Sequence, residues 1–225
     1  MVLGVVSQDD AIRGHLGDVG VIDLVLPFLA VHDLVMVEQT SWTLLQLSWN
    51  RDNQTRLSLH GSTWFSICSK PDPAWRLVQQ YIFQLVGNLV FYHPENRLDM
   101  IADSNWVNFL LETCQNHQVS WRADAVRAMC ALSYENSFAA VSHHMPILVD
   151  VLGASDATEM VLNALQWLKN LLVHDVQKSR FVHCPQATET LVALCGAESP
   201  QIRERAKEAL DLVADVRVRS TAWKL

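Results

Sequence analysis

Two short rows of amides are the groups in this chain best suited to recognition chemistry. Gln80, Gln84 and Asn88 fall at i, i+4 and i+8, and Tyr92 extends the row. Asn163, Gln166 and Asn170 form a second row. Residues three or four apart share one face of a helix. A carboxamide carries a donor and an acceptor together, so it matches both halves of a peptide group. Between Ala74 and His93 the only strong charge is Arg76. A solvated helix face normally carries charges, so an uncharged amide row between apolar faces points to a surface that neighbours cover and that binds something polar. The competing reading is that these amides only hydrogen-bond to adjacent parts of the chain, as most buried polar groups do.

Groups for catalysis or metal binding are poorly placed. No Walker loop, G-x-S-x-G, G-x-G-x-x-G or H-E-x-x-H occurs. His143–His144 and His183–Cys184 are adjacent pairs, whose side chains diverge on a helix and make poor chelates. His15, His60, His143 and His183 instead suit the C-terminal ends of short helices, where a cation meets the dipole. The five cysteines, Cys68, Cys114, Cys130, Cys184 and Cys195, are odd in number and form no CxxC. They read as reduced thiols, which places the chain in the cytoplasm or nucleus. A non-enzymatic protein with no cofactor and no metal is expected.

The elements that would carry the amide rows follow from an internal repeat. Leu16, Leu59, Ile101, Val141 and Val182 are apolar anchors of five similar segments, separated by 43, 42, 40 and 41 residues. Five positions before them stand Ala11, Gln54, Asn96, Asn136 and Gln177, mostly amides, a type suited to a helix start. A second register, Leu47, Leu89, Leu132, Leu171 and Val213, has separations of 42, 43, 39 and 42. A helical period near 40 predicts a solenoid of stacked repeats. Each repeat divides into three helices. In the second, 53–60 is short, Gly61 breaks the chain, 62–69 follows, and 73–92 is long. In the fourth, Gly153 and Ser155 precede a long helix over 158–173. Ser199–Pro200 starts the last, over 202–213. No sustained period-2 alternation predicts strand.

Composition agrees with a folded, apolar chain. Of 225 residues 50% are hydrophobic and 18% charged, and the formal charge is −7. That balance argues against a general nucleic-acid binder. Residues 1–6 lack the basic region of a secretory signal. The uncharged stretch 77–94 carries Gln79, Gln80, Gln84 and Asn88, so it reads as a buried helix and not a membrane span. Residues 201–225 hold six strong bases and four acids, which reads as a polar cap closing the stack. Trp64 and Trp106 share one repeat position and read as core.

With a short helix, a second helix and a long third helix ending in A-L-x-x-L-x-N-L, the repeat resembles the armadillo family. AlaLeuGlnTrpLeuLysAsnLeu at 164–171 is the clearest copy, and SerTyrGluAsn at 133–136 resembles the family's link between repeats. The resemblance covers roughly residues 7–215. It implies an all-α, right-handed superhelical solenoid of about five three-helix repeats, forming one domain. The approximate units are 7–50, 51–93, 94–134, 135–174 and 175–216, with 217–225 as a tail. Residues 1–6 would cap the first repeat, or the chain would be the C-terminal part of a larger array.

The family's third helices line a concave groove that holds an extended peptide. An Asn near the helix end clamps the peptide backbone, and a Trp four residues earlier walls side-chain pockets. By resemblance the clamp positions are Gln46, Asn88, Ala131, Asn170 and Leu212, and the Trp positions are Trp42, Gln84, Arg127, Gln166 and Glu208. Only Trp42 keeps the Trp. With the amide rows and Trp49, the candidate peptide-binding residues are Trp42, Gln46, Trp49, Gln80, Gln84, Asn88, Tyr92, Arg127, Asn163, Gln166 and Asn170. The expected partner is another protein, offering an extended segment of basic character, with no membrane and no nucleic acid. The alternative is a co-chaperone-like clamp on a folded domain.

Overall fold

A computed structural model describes residues 9–135, 138, 144–154 and 157–222, with side chains omitted for 144 and 215–222. Residues 1–6, the anchor Val141, Asn136, His143 and the end of the tail lie outside the described residues. The chain divides into two compact units, Met1–Met100 and Ile101–Leu225. Among the described residues the regular elements are all helical, and no helix is long and apolar enough to cross a membrane.

The N-terminal unit begins with α1 (Asp10–Asp18) and α2 (Val21–Val25), joined at Gly20. Gly20 has φ 80°, a left-handed conformation that costs glycine nothing. A short 3₁₀ turn, Leu26–Ala30, leads to the long α3 (Leu34–Leu47). Then come α4 (Arg51–Ser58), α5 (Gly61–Cys68) and α6 (Arg76–Tyr92), the last preceded by a 3₁₀ turn at Pro73–Trp75. Asp33 caps α3 by accepting from Val35 N and Met36 N at 2.9 and 3.3 Å. Asn50 caps α4 in the same way, through Asp52 N and Asn53 N. That cap moves the helix start to Arg51, two residues before the position expected from the amide register.

The C-terminal unit takes in most of the chain after α7 (Pro94–Ala102), with α8 (Ser104–Gln115) and α9 (Arg122–Leu132) first. It continues with α10 (His144–Ala154), α11 (Thr158–Leu171), α12 (Asp175–Val182), α13 (Pro185–Leu194) and α14 (Pro200–Ala222). The last helix is far longer than the 202–213 that periodicity predicts, because Pro200 starts it and no breaker follows.

Packing follows the same plan in each unit. In the first, α3 lies against α6, and α6 also packs on α4 and α5. Leu44, Leu47, Leu57, Ile82, Leu85 and Val86 are fully buried there. In the second, α9 lies against α11 and α11 against α14. Ala125, Ala164, Ala206 and Ala209 are fully buried, so small side chains let these helices approach closely. Trp64 and Trp106, 1% and 3% exposed, belong to the cores, with the Trp64 indole donating to Leu57 O at 3.0 Å.

Two of the amides five residues before the anchors, Gln54 and Asn96, reach back to the preceding helix. Gln54 Nε2 reaches back to Ser48 O at 2.8 Å, and Asn96 Nδ2 to Leu89 O at 2.9 Å. Each satisfies a carbonyl at the end of the preceding long helix, which has no intrahelical donor. Asn53 adds a contact across one repeat, donating to Arg13 O at 2.8 Å and to Leu47 O at 3.2 Å.

Candidate functional site on the long helices

The long helices α3 and α6 carry the candidate residues of the N-terminal unit. Trp42 and Gln46 are half-buried on α3, and Trp49, just past its end, is 49% exposed. Gln80 and Gln84 are half-buried on α6, and Tyr92 at its end is 53% exposed. Asn88 departs from the expectation of an outward clamp. It is 2% exposed and donates from Nδ2 to Ser48 Oγ at 2.9 Å. The Ser48 hydroxyl in turn donates to Leu45 O at 2.7 Å. This amide therefore ties the end of α6 to the end of α3.

Further groups on α3 and α6 extend the surface. Val35 and Leu77 are 68% and 41% exposed, each seven residues before Trp42 or Gln84. Burial, and next the nearby Glu38 carboxylate, push the Tyr81 phenol above its ordinary range. Glu38 on α3 thus lies near Tyr81 on α6, with Trp42 one turn further along α3. Sequence periodicity carries the signal for all four, since they fall on the same helix faces as Trp42 and Gln84. They are passed over when only amides and tryptophans are sought. Residues 39–50 and 77–94 contain no Asp, Glu, Lys or Arg.

The long helices of the C-terminal unit carry a different surface. Arg127, Asn163, Gln166 and Asn170 are all half-buried. Gln166 Nε2 donates to Asn170 Oδ1 at 2.8 Å, and Arg205 Nη1 on α14 donates to Gln166 Oε1 at 3.4 Å. Asn170 Nδ2 donates to Ser133 Oγ at 2.9 Å, repeating the Asn88–Ser48 contact. Arg127 lies 4.0 Å from Asp124 on its own helix. Lys169 on α11 pairs with Glu208 on α14. That hydrogen bond, followed by the lysine charge, holds the Glu208 carboxyl below its usual range. Charges and amides here largely answer one another within the protein.

Titratable clusters elsewhere are few. Arg122 is buried, donating from Nε to Cys114 O at 2.6 Å and from Nη2 to Asp150 at 3.2 Å. His117 Nε2 meets the same Asp150 oxygen at 3.1 Å. This group ties α10 to the start of α9. Among the described residues no three His, Cys, Asp or Glu side chains converge as metal ligands. Burial pushes the Cys114 and Cys130 thiols up to about 12 and raises Cys68 further. Thiols so raised are poor nucleophiles and poor ligands.

Paired long helices, each flanked by two shorter ones, recur in known structures. A designed armadillo repeat protein in complex with the peptide (KR)4 superposes with a TM-score of 0.80 at 14% identity, over 94% of this chain and 90% of that one. The chain has an armadillo-type solenoid fold. A computationally designed armadillo repeat protein for modular peptide recognition matches equally, with a TM-score of 0.80 at 14% identity over 93% and 90% of the two chains. An engineered protein matches at 0.80 and 15%, over 95% and 87%. At these identities the likeness is one of fold alone. No family model matches this armadillo-type chain, and no curated protein matches it by sequence.

Proposed function

We propose that this protein is a non-enzymatic scaffold that holds an extended segment of another protein along its long third helices. One observation carries the reading. On α3 and α6 a solvent-facing surface holds half-buried Trp42, Gln46, Gln80 and Gln84 in stretches without a single charge. Solvated helix faces normally bear Lys and Glu, whereas interface centres are enriched in aromatics and depleted in charge. Gln46 and Gln80 supply donors and acceptors for a peptide backbone. Designed proteins of the same fold bind peptides or were designed for it, which supports a peptide partner here.

A basic residue of that partner would meet Glu38 and the rings of Trp42 and Tyr81, by charge and by cation–π attraction. The net charge of −7 favours the same sign of partner. Free thiols suit a reducing compartment, so the scaffold would work in the cytoplasm or nucleus.

Selection of binders to the full chain from a random peptide library tests the reading. Selected peptides should lose roughly tenfold or more in affinity for Trp42→Ala, as truncated interface aromatics do, with an unchanged melting temperature. A smaller loss is expected for Gln84→Ala. Peptides that bind both variants as they bind the parent would reject the site. Selection that yields no binder of the folded chain would reject the extended-segment reading.

A further inference from the structure

A cleft of about 500 Å³ opens between the 3₁₀ turn Leu26–Ala30 and α5. None of the residues that line it belongs to the long-helix surface proposed above. The turn contributes Leu26 and Leu29, and Ile67 joins them from α5. Leu29 and Ile67 are buried and Leu26 is half-buried, so this lining is apolar. Ser62, Thr63, Ser66 and Lys70 supply the polar groups, all from α5 and the residues just after it. Small-molecule and peptide sites commonly have this make-up, an apolar lining with a few placed polar groups.

The polar groups of the cleft are unengaged. Among the described residues the Ser62, Thr63 and Ser66 hydroxyls make no hydrogen bond. Other helical hydroxyls return to their own backbone: Ser58 to Thr55 O, Ser69 to Phe65 O and Thr113 to Phe109 O, each at 2.8 Å. Lys70 is the only charged residue lining the cleft. Its ammonium rests 3.8 Å from the Trp75 ring centroid, and among the described residues no carboxylate pairs with it. Asp72, the nearest acid in the sequence, turns to Ala74 N at 2.9 Å. The carbonyls at the end of α5, which would repel an anion, are occupied as well. Gln79 Nε2 donates to Lys70 O at 2.6 Å and to Cys68 O at 3.1 Å. The cleft is thus locally positive on a chain whose formal charge is −7.

A matching ligand has an apolar part, shares hydrogen bonds along its length and ends in one negative charge. The C-terminus of a protein with an aliphatic last residue has all three. Its α-carboxylate pairs with an ammonium, and the side chain of the same residue can bury against apolar groups. The residues before it run past the serines. Ser62 and Ser66 are one helical turn apart, about 6 Å along the axis at 1.5 Å per residue. An extended peptide repeats the carbonyls on one edge every two residues, about 6.6 Å. A hydroxyl donates to a carbonyl or accepts from an N–H, so each serine answers one peptide group. We infer that the cleft between the 3₁₀ turn and α5 captures the free C-terminus of a partner protein that ends in an aliphatic residue, with Lys70 holding the carboxylate and Leu29 and Ile67 the side chain.

The test uses the full chain and three hexapeptides labelled with fluorescein at the N-terminus, read by fluorescence anisotropy. The first is Gly-Ser-Gly-Val-Val-Leu with a free carboxylate, the second its C-terminal amide, and the third that amide with Glu in place of the second Val. The free acid should bind saturably and the amide roughly tenfold more weakly. The Glu-bearing peptide should bind no better than the plain amide. Lys70→Gln should weaken the free acid about tenfold and leave the amide unchanged. Ser66→Trp, which fills the cleft, should remove the binding of both, and Val176→Ala should change nothing. Circular dichroism melting of each variant confirms that it is folded. Equal binding of acid and amide overturns the inference, as does the absence of saturable binding by the acid. Binding of the Glu-bearing amide as tight as that of the acid also overturns it, since the cleft would then read an internal acidic residue. Acid binding that survives Lys70→Gln and Ser66→Trp overturns the placement in this cleft.

Discussion

Asn88 Nδ2 donates to the Ser48 hydroxyl at 2.9 Å across forty residues of sequence, and Ser48 in turn donates to Leu45 O at 2.7 Å. In the C-terminal unit Asn170 and Ser133 repeat the contact at 2.9 Å, with Ser133 donating to Cys130 O at 2.6 Å. A serine at the end of one long helix thus links the last turn of that helix to an asparagine on the next. Both groups of the first pair are buried, so neither finds water as a substitute.

Asn88→Ala should therefore act on stability and not on binding. Removing one partner of a buried hydrogen bond costs about 1–3 kcal/mol. The variant should melt at lower temperature, while peptide affinity per folded molecule stays the same. Ser48→Ala should cost a similar amount, and the double variant less than the two together. Additive losses in the double-mutant cycle would show that the pair does not act as a unit. Asn170 is half-buried, so Asn170→Ala should cost less stability than Asn88→Ala.

Gly17 marks a close approach of α1 to α4. A Cβ at that position would stand 1.7 Å from Asn53 Oδ1 and 2.5 Å from Arg56 Nη1. Asn53 cannot easily yield, since it is fully buried and bonded to Arg13 O and Leu47 O. Arg56 is held by Asn53 at 3.0 Å and by Asp18 at 2.7 Å. Gly17→Ala should destabilise the chain by about 1–3 kcal/mol, the usual cost of overpacking. Denaturant unfolding measures it, and a midpoint equal to the parent's would refute the close approach.

Thiol reactivity should separate two classes of cysteine. Cys68, Cys114 and Cys130 are buried, and burial raises all three thiols, the last two to about 12. At mildly alkaline pH an aromatic disulfide reagent should modify Cys184 and Cys195 rapidly and the other three only on unfolding. Two equivalents in the native chain and five in denaturant is the expected count, five being the total in the sequence. Fast native reaction of a third thiol would contradict the packing of α5, α8 or α9.

The Lys169–Glu208 pair predicts a pH dependence of definite sign. The lysine lowers the Glu208 carboxyl from its unfolded value. The pair's contribution is therefore complete above the unfolded carboxylate range and is lost as pH falls through the lowered value. Parent and Glu208→Gln should differ in melting temperature near neutral pH and converge at acid pH. Added salt should narrow the neutral-pH difference, since the pair is partly exposed. A difference that grows on acidification would exclude this assignment.

The sequence by itself determined the helical repeat, because anchors such as Leu47, Leu89, Leu132 and Leu171 must each return to a core at one fixed period. It also determined that the third helix of the second repeat would bear amides and aromatics with Arg76 as its only strong charge, since composition along a helix is a one-dimensional property. Helix ends were less legible. Asn50 and Asp33 cap α4 and α3, while Gln54 and Asn96, of the same residue type and also near helix starts, satisfy carbonyls of the preceding long helices. An amide four residues further along points elsewhere, and only the placement of the neighbouring helix decides what it meets. The same holds for the site. Gln84 and Asn88 are one turn apart in a single row, yet Gln84 stays half-buried while Asn88 turns onto Ser48. Tertiary packing made that division, because α3 ends where its serine hydroxyl lies within reach of Asn88.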